Sequence, residues 1–183
     1  MNGVIVLVGL PASGKSSVGA ILARRLGVPH LDSDVWIEET TGQSIGDIFA
    51  EAGEETFRRL EEQAVEQLLA QGPAVVSLGG GAVLSAVNRR RLADHDVIWL
   101  DVSLATATRR AGLNRLRPLL LGDVRAQLAA LNAERQPLYH EVATHRLATD
   151  RLSLTEVAEA IVTWLEQMRP AQPVETPAGD DHG

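Results

Sequence analysis

The sequence has no cysteine, a single lysine, a single tyrosine and only two phenylalanines among its 183 residues. Without cysteine the chain can form no disulfide, thiolate metal site or cysteine nucleophile, a composition compatible with a reducing cytoplasm. No apolar run is long enough to span a membrane, and a net charge of −7 argues against a broad nucleic-acid-binding surface. We therefore expect a cytoplasmic protein with neither membrane nor nucleic-acid partners. We also expect a monomer, although none of these observations bears on the number of subunits.

The single lysine, Lys15, lies in residues 9–16, which read GLPASGKS. This segment, called here the phosphate loop, matches the pattern G-x-x-x-x-G-K-[S/T]. A β-branched run precedes it and helical apolar spacing follows it, which favours a nucleotide site over an ordinary glycine-rich turn. In such a loop the backbone N–H groups surround a β-phosphate, Lys15 bridges the β and γ oxygens, and Ser16 binds Mg²⁺. The predicted nucleotide-contacting residues are Pro11, Ala12, Ser13, Gly14, Lys15, Ser16 and Ser17.

Strand and helix patterns alternate along the chain, which is typical of an α/β domain with a parallel sheet covered on both faces. The predicted strands are residues 4–8, 28–32, 73–78, 95–101 and 145–148. The predicted helices are residues 16–26, 44–71 with a break near Gly53, 86–93, 103–111, 123–136 and 154–168, the last preceded by the capping box Ser153 to Glu156.

The chain length fits one such domain, which we place at residues 1–169. The first apolar run is short and lacks a preceding positive charge, so we expect no signal peptide. Residues 170–183 are rich in proline and acidic side chains, and we predict a disordered tail there.

Two pairs of charged residues are candidates for the site. One is a pair of carboxylates after a predicted strand, and the other is an arginine and a glutamate on a predicted helix. Asp32 and Asp34 come directly after the second strand, where a carboxylate could act in catalysis or simply cap a helix. Arg58 and Glu61 share a helix face at i, i+3, a spacing that also occurs in solvated ion pairs.

Three further segments complete the pattern. Gly79, Gly80 and Gly81, called here the glycine run, lack side chains, so a ligand or a neighbouring helix must approach the backbone closely. Residues 114–120 form a basic, irregular segment. Arg135 precedes Pro137, which we expect to end its helix.

Taken in this order and spacing, these features resemble the shikimate kinase family over residues 3–168. The resemblance implies a three-layer α/β/α fold like that of nucleoside-monophosphate kinases, with five parallel strands in the order 2-3-1-4-5. It also implies a mobile lid, which we place at residues 112–123. The expected activity is ATP-dependent phosphorylation of the 3-hydroxyl of shikimate, a step of aromatic amino-acid biosynthesis that uses Mg²⁺.

The resemblance also implies roles for individual residues. Asp32 matches the carboxylate near Mg²⁺ beside Ser16, and Asp34 the one that holds the acceptor hydroxyl. Glu61 matches a residue that orients Arg58. The residues expected to bind the substrate are Asp34, Arg58, Glu61, Gly79, Gly80, Gly81 and Arg135. The residues expected near the nucleotide beyond the phosphate loop are Arg110 against the adenine, Arg117 from the lid on the transferred phosphoryl, and Arg151.

The sequence departs from the family at Ala12, where a glycine is usual, and the substitution is costly only if this position needs a positive φ. Asp101 ends an apolar strand and is an alternative metal carboxylate. The resemblance implies Asp32 instead, because the family has a small residue on the third strand at the position of Ser77. Two other functions stay open: a related small-molecule kinase such as a gluconate kinase, and a nucleotide-binding module without catalysis.

Overall fold

The computed structural model describes residues 3–113 and 121–168. Its strands are β1 Ile5–Val8, β2 His30–Asp32, β3 Val75–Ser77, β4 Asp96–Asp101 and β5 His145–Ala148. Its α-helices are α1 Lys15–Leu26, α2 Ser33–Thr41, α3 Ile45–Leu69, α4 Ala86–Leu92, α5 Leu104–Leu113, α6 Leu121–Val142 and α7 Leu154–Met168, with a 3-10 turn at Ala82–Leu84. Within these residues, no helix combines the length and the apolar character needed to cross a bilayer.

The five strands form one parallel sheet in the order β2-β3-β1-β4-β5, which confirms the predicted fold and strand order. The central strand β1 pairs with β3 on one side, with Leu7 opposite Ser77, and with β4 on the other, with Val8 opposite Trp99. Because β1 and β3 are short, apolar and fully buried, they suit the middle of a sheet that is covered on both faces.

Alternate residues of β1 enter two different cores. Val6 and Val8 join a cluster with residues of α3, α4 and α6, whereas Ile5 and Leu7 pack with residues of α1 and α7. Each fully buried side chain of this kind contributes about 1.5–3 kcal/mol through removal from water. The two cores therefore fix the sheet whose carboxyl ends carry the candidate site.

Two features predicted from local patterns are confirmed. The helix α3 is interrupted at Gly53, which has φ 79° and ψ 170°. The capping box at the start of α7 is formed, because Ser153 N donates to Glu156 Oε2 at 2.7 Å and Glu156 N donates to Ser153 Oγ at 3.3 Å.

The expectation that Pro137 ends its helix is wrong, because α6 continues through this proline to Val142. Tyr139, two residues further on, is completely buried in the larger core. This packing holds the helix together although the proline itself lacks a backbone donor.

The helix α2 is missing from the elements predicted from the sequence. Its residues are rich in β-branched side chains, which have low helix propensity. It forms nevertheless because Asp32 caps it and because Ile37, fully buried, packs with Ile48 and Phe57 of α3. Tertiary packing and a cap thus outweigh local preference.

Several predictions concern residues outside those the structure describes. Residues 114–120, which make up most of the predicted lid 112–123 and include Arg117, lie outside them. The predicted tail, residues 170–183, does so as well. The domain limits 1–169 and the tail stay predictions.

Candidate active site

A cavity of about 780 Å³ opens where β1, β2 and β3 end. This is the edge of a parallel α/β sheet at which ligands are expected to bind. The phosphate loop, the residues after β2 and the glycine run meet there. The described residues that line it are Pro11, Ala12, Gly14, Lys15, Ser16, Ser17, Asp32, Asp34, Leu78, Gly79, Gly80, Arg110, Leu152, Ser153 and Leu154.

The phosphate loop leads directly into α1, whose N-cap is Gly14. No side chain of the described residues caps this helix end, so its first backbone N–H groups are available to an anion. The Lys15 ammonium lies over the loop and donates to the carbonyl oxygens of Gly9 and Leu10, each at 3.0 Å. The arrangement suits a phosphate chain lying along the loop.

Ala12 adopts the left-handed conformation, with φ 62°, and is the one non-glycine residue with positive φ among those described. The position at which the sequence departs from the family therefore does need a positive φ. An alanine in this conformation costs about 1–2 kcal/mol relative to a right-handed backbone. The loop thus carries backbone strain beside the nucleotide site.

Burial lowers the pKa of Lys15 from 10.5 to about 8, although the nearby carboxylates of Asp34 and Asp32 oppose this shift. A buried ammonium is poorly compensated by water, so an incoming polyphosphate gains more from it than from an exposed lysine. Lys15 therefore combines the position and the electrostatics expected for a phosphate-binding lysine.

Asp32 caps a helix and also contacts the phosphate loop. Its Oδ1 accepts a hydrogen bond from Asp34 N at 3.0 Å and so caps α2, while its Oδ2 accepts from Ser16 Oγ at 2.6 Å. The Ser16 hydroxyl and the Asp32 carboxylate thus form a pair of hard oxygen donors at the end of the phosphate loop.

This oxygen pair fits Mg²⁺, which prefers oxygen ligands and usually keeps waters and substrate phosphates in its shell. The residues described contain no cluster of three or more His, Cys, Asp or Glu side chains that could hold a metal by themselves. Asp101, the alternative carboxylate, accepts from Arg146 Nη2 at 2.6 Å and Nε at 3.0 Å. The structure therefore favours Asp32 over Asp101 as the predicted metal carboxylate.

Asp34 extends into the cavity from the first turn of α2. Burial raises its pKa, and Asp32 adds to the rise, while Lys15 opposes it. A partly desolvated carboxylate is a better hydrogen-bond acceptor for a substrate hydroxyl than a solvated one.

Arg58 and Glu61 form a hydrogen-bonded ion pair, with Arg58 Nη1 donating to Glu61 Oε2 at 2.8 Å. The Glu61 side chain is only 2% exposed, so the pair is not the solvated surface pair that its spacing also allowed. Burial raises the pKa of Glu61, and the hydrogen bond from Arg58 opposes that rise. Glu61 is therefore a buried partner that can fix the orientation of the Arg58 guanidinium.

The glycine run lies between these charged groups. A Cβ on Gly79 would come within 2.6 Å of Asp34 Oδ1, and one on Gly81 would overlap the Arg58 guanidinium. A Cβ on Gly80 would lie 3.5 Å from Arg135 Nη1. A side chain at Gly79 or Gly81 would therefore push aside a predicted site residue, which explains these two glycines better than helix packing does.

Arg135 reaches the same place from α6 and is nearly buried, at 9% exposure. Its Nε has an ion pair with Glu134 at 3.5 Å but no hydrogen-bond partner among the described residues. A nearly buried guanidinium beside the glycine run is suited to bind an anion.

Sequence reasoning missed two residues that hold the glycine run in place. Ser33 Oγ accepts from Gly79 N at 2.8 Å, and Tyr139 Oη donates to the carbonyl oxygen of Gly80 at 2.7 Å. Burial raises the pKa of Tyr139 to about 12, so its hydroxyl remains a donor at neutral pH. The one signal in the sequence was that Tyr139 is the chain's single tyrosine.

On the nucleotide side, Arg110 Nη1 donates to the carbonyl oxygen of Ser13 at 3.3 Å and borders the cavity. Leu152, Ser153 and Leu154 form the adjoining wall. Arg151 is exposed and is not among the described residues that line the cavity, so its contact with the nucleotide stays a prediction.

Comparisons with known proteins show the family of the chain. A sequence model of the family described as "Shikimate kinase" matches residues 11–166. Shikimate kinase from Mycobacterium tuberculosis is 51% identical over 168 residues, which are 91% of this chain and 96% of that protein. The Thermobifida fusca enzyme is 49% identical over 156 residues, covering 85% of this chain and 91% of that protein.

Two solved structures are also similar. Shikimate kinase from Acinetobacter baumannii in complex with shikimate has a TM-score of 0.86 and 33% identity, covering 92% of this chain and 96% of that one. A gluconokinase from Sinorhizobium meliloti has a TM-score of 0.58 at 20% identity, covering 91% of this chain and 93% of that one. The second similarity extends to the fold alone.

Proposed function

The chain belongs to the shikimate kinase family and phosphorylates the 3-hydroxyl of shikimate with ATP, and we propose that the groups around its cavity divide this reaction between a phosphate side and an acceptor side. One observation carries the proposal. The phosphate loop, Asp34 and the glycine run border a single cavity, and Arg58 and Arg135 approach that glycine run closely.

On the phosphate side, the loop N–H groups and the N-terminus of α1 bind the β-phosphate. The ammonium of Lys15 exchanges its carbonyl partners for β and γ oxygens and balances the charge on the transferred group. Ser16 and Asp32 hold Mg²⁺, directly or through water. When bound there, the metal would supply positive charge that stabilises the phosphate oxygens.

On the acceptor side, Asp34 accepts a hydrogen bond from the 3-hydroxyl and orients its oxygen toward the γ-phosphorus. Phosphoryl transfer needs alignment more than a strong base, because its transition state is loose. The raised pKa of Asp34 also equips it to take the hydroxyl proton as the new P–O bond forms.

Arg58 and Arg135 bind the carboxylate of shikimate, with Gly79, Gly80 and Gly81 forming the floor beneath the ring. Guanidinium groups suit this task because their planar fork matches a carboxylate. Glu61 keeps Arg58 oriented. Ser33 and Tyr139 do not contact shikimate in this proposal. They act indirectly, because their hydrogen bonds hold the glycine run in place.

Three arginines complete the proposal on the nucleotide side. Arg110 lies against the adenine, and Arg151 makes a contact at its edge. Arg117, which lies outside the described residues, reaches the transferred phosphoryl from a lid at residues 112–123. Closure of the lid excludes water, which would otherwise accept the phosphoryl group. We further propose that the enzyme is a cytoplasmic monomer.

The test is shikimate-dependent ADP release, followed by mass analysis of the product. We expect one phosphate added to shikimate, no transfer to gluconate, and loss of transfer in Asp34→Asn with the fold retained. Phosphorylation of gluconate at a comparable rate, or ADP release that does not depend on shikimate, would contradict the proposal. The first outcome would favour the gluconate-kinase alternative.

A further inference from the structure

The Arg58 guanidinium is shared by two carboxylates of the same helix. Its Nη1 donates to Glu61 at 2.8 Å. Its Nε and Nη2 donate to the same oxygen of Glu54, at 3.2 and 3.0 Å. Three of the five N–H donors of the guanidinium are therefore already used within the protein.

The two carboxylates differ in how firmly they are held. The side chain of Glu61 is 2% exposed, so breaking its pair would leave a buried charge uncompensated. The side chain of Glu54 is 65% exposed, so water can replace its partner at little cost. Glu54 also follows Gly53, where α3 is interrupted. Of the two, only Glu54 can release Arg58 readily.

Neighbouring groups restrict the directions from which a ligand can reach the Arg58 guanidinium. The backbone at Gly81 packs against its guanidinium, and the Phe57 ring centroid lies 5.4 Å from its Cζ. An incoming carboxylate must therefore approach an N–H edge, and Glu54 already binds one of these edges. Two like charges around one guanidinium repel each other.

We propose that Glu54 is an internal competitor of the substrate carboxylate for Arg58, and that it limits the affinity of the acceptor side for acidic ligands. The inference rests on the proposed function of Arg58. Glu54 keeps the guanidinium paired in the free enzyme and moves aside when a carboxylate binds. Its negative charge thus opposes the first step of acceptor binding.

The experiment compares Glu54→Gln with Glu55→Gln, measuring KM and kcat for shikimate and KM for ATP. Glu55 is the next residue, is exposed, and gives the same change in net charge. Exposed ion pairs of this kind shift an equilibrium by about two- to fivefold. We expect Glu54→Gln to lower the KM for shikimate by about that factor, leaving kcat and the KM for ATP unchanged.

A neutral analogue, the carboxamide of shikimate, separates competition from a general loosening of the site. Its binding should change less between Glu54→Gln and the parent than that of shikimate does, because the amide lacks the negative charge that Glu54 repels. A KM for shikimate that rises in Glu54→Gln would show that Glu54 orients Arg58 instead, and would overturn the inference. Equal effects of Glu54→Gln and Glu55→Gln would overturn it too, since only net charge would then matter.

Arg58→Lys distinguishes failure of this inference from failure of the proposed function. The lysine keeps a positive charge beside buried Glu61, which preserves the fold. If its KM for shikimate rises while Glu54→Gln changes nothing, only the competition is wrong. If Arg58→Lys also leaves that KM unchanged, Arg58 does not bind the substrate and both ideas fail.

Discussion

The phosphate side and the acceptor side of the cavity are built in opposite ways. The phosphate side comes mainly from eight consecutive residues, 9–16, and relies on backbone groups with one ammonium. The acceptor side comes from α2, α3, α6 and the glycine run, and relies on charged side chains, of which Arg58 and Glu61 already form an ion pair.

Because the two sides are built differently, substitutions in them should have different effects on activity. A backbone loop works as a unit with its lysine, so damage there should remove turnover. The acceptor side divides its work over several arginines and carboxylates, so damage to one should weaken binding and leave the chemistry intact. The changes below test this division, in order of decreasing expected effect.

Lys15→Met should lower kcat by roughly a hundred- to a thousandfold, because it removes the charge that meets the γ-phosphate. The fold should persist, since the methionine replaces a buried ammonium with an apolar group of similar length. Steady-state ADP release measures the loss, and a thermal melt with a shikimate titration is the control. Turnover near that of the parent would contradict the role of Lys15.

Arg58→Lys and Arg135→Lys should each raise the KM for shikimate by roughly ten- to a hundredfold, because lysine loses the forked donors of a charged hydrogen bond. The KM for ATP should change little, which is the internal control. Equal losses for both substrates would indicate a folding defect, and the acceptor side would then not be separable from the phosphate side.

Asp32→Asn should raise the Mg²⁺ concentration needed for half-maximal rate by about tenfold or more, because it weakens the oxygen pair formed with Ser16. Asp101→Asn is the matched control, and it should leave the Mg²⁺ requirement unchanged because Asp101 pairs with Arg146. The reverse ranking, measured by Mg²⁺ titration of the rate, would move the metal to the end of β4.

The affinity for ATP should depend on alkaline pH, whereas acceptor binding through arginines should not. Burial lowers the pKa of Lys15 to about 8, so the free protein loses this charge as the pH rises above 8. We expect kcat/KM for ATP to fall by up to about tenfold per pH unit there. A profile that stays flat to pH 9.5 would show that Lys15 keeps its proton.

The lowered pKa of Lys15 also makes the free energy of unfolding depend on pH. Between pH 8 and 10.5 the unfolded chain holds a proton on Lys15 that the folded chain has lost. The contribution of Lys15 to the free energy of unfolding therefore rises with pH in this window. Denaturant unfolding at both limits should show the rise in the parent and not in Lys15→Met.

Ala12→Gly should have the smallest effect, on stability alone. Glycine removes a left-handed cost of about 1–2 kcal/mol but adds flexibility to the unfolded chain worth about 0.4–1 kcal/mol. The net gain of about 0.5 kcal/mol would raise Tm by about 1–2 °C. Scanning calorimetry measures this change, and a fall in Tm would mean that the loop carries no strain at Ala12.

Local chemistry made part of this molecule predictable. The loop motif, the break at Gly53 and the capping box of α7 each depend on residues a few positions apart, and all three are present. The strand order followed from the family resemblance rather than from any single motif. The assignment of site residues stays a prediction, although the cavity gathers many of them.

Other features depended on contacts between distant residues. The α2 helix and the continuation of α6 through Pro137 rest on buried Ile37 and Tyr139. Ser33 and Tyr139 matter because they bind a glycine run far away in sequence. No local pattern could reveal these roles, because a side chain's partner is set by the packing of whole elements.

The sequence by itself determined the phosphate loop, because eight neighbouring residues contain both the backbone geometry and the ammonium that phosphate binding needs. Tertiary structure alone decided which charges became partners and which were buried. It placed Asp101 against Arg146 and Asp32 against Ser16, and burial lowered the pKa of Lys15. The physical reason is that desolvation and ion pairing depend on distances across the fold, whereas loop conformation depends on adjacent residues.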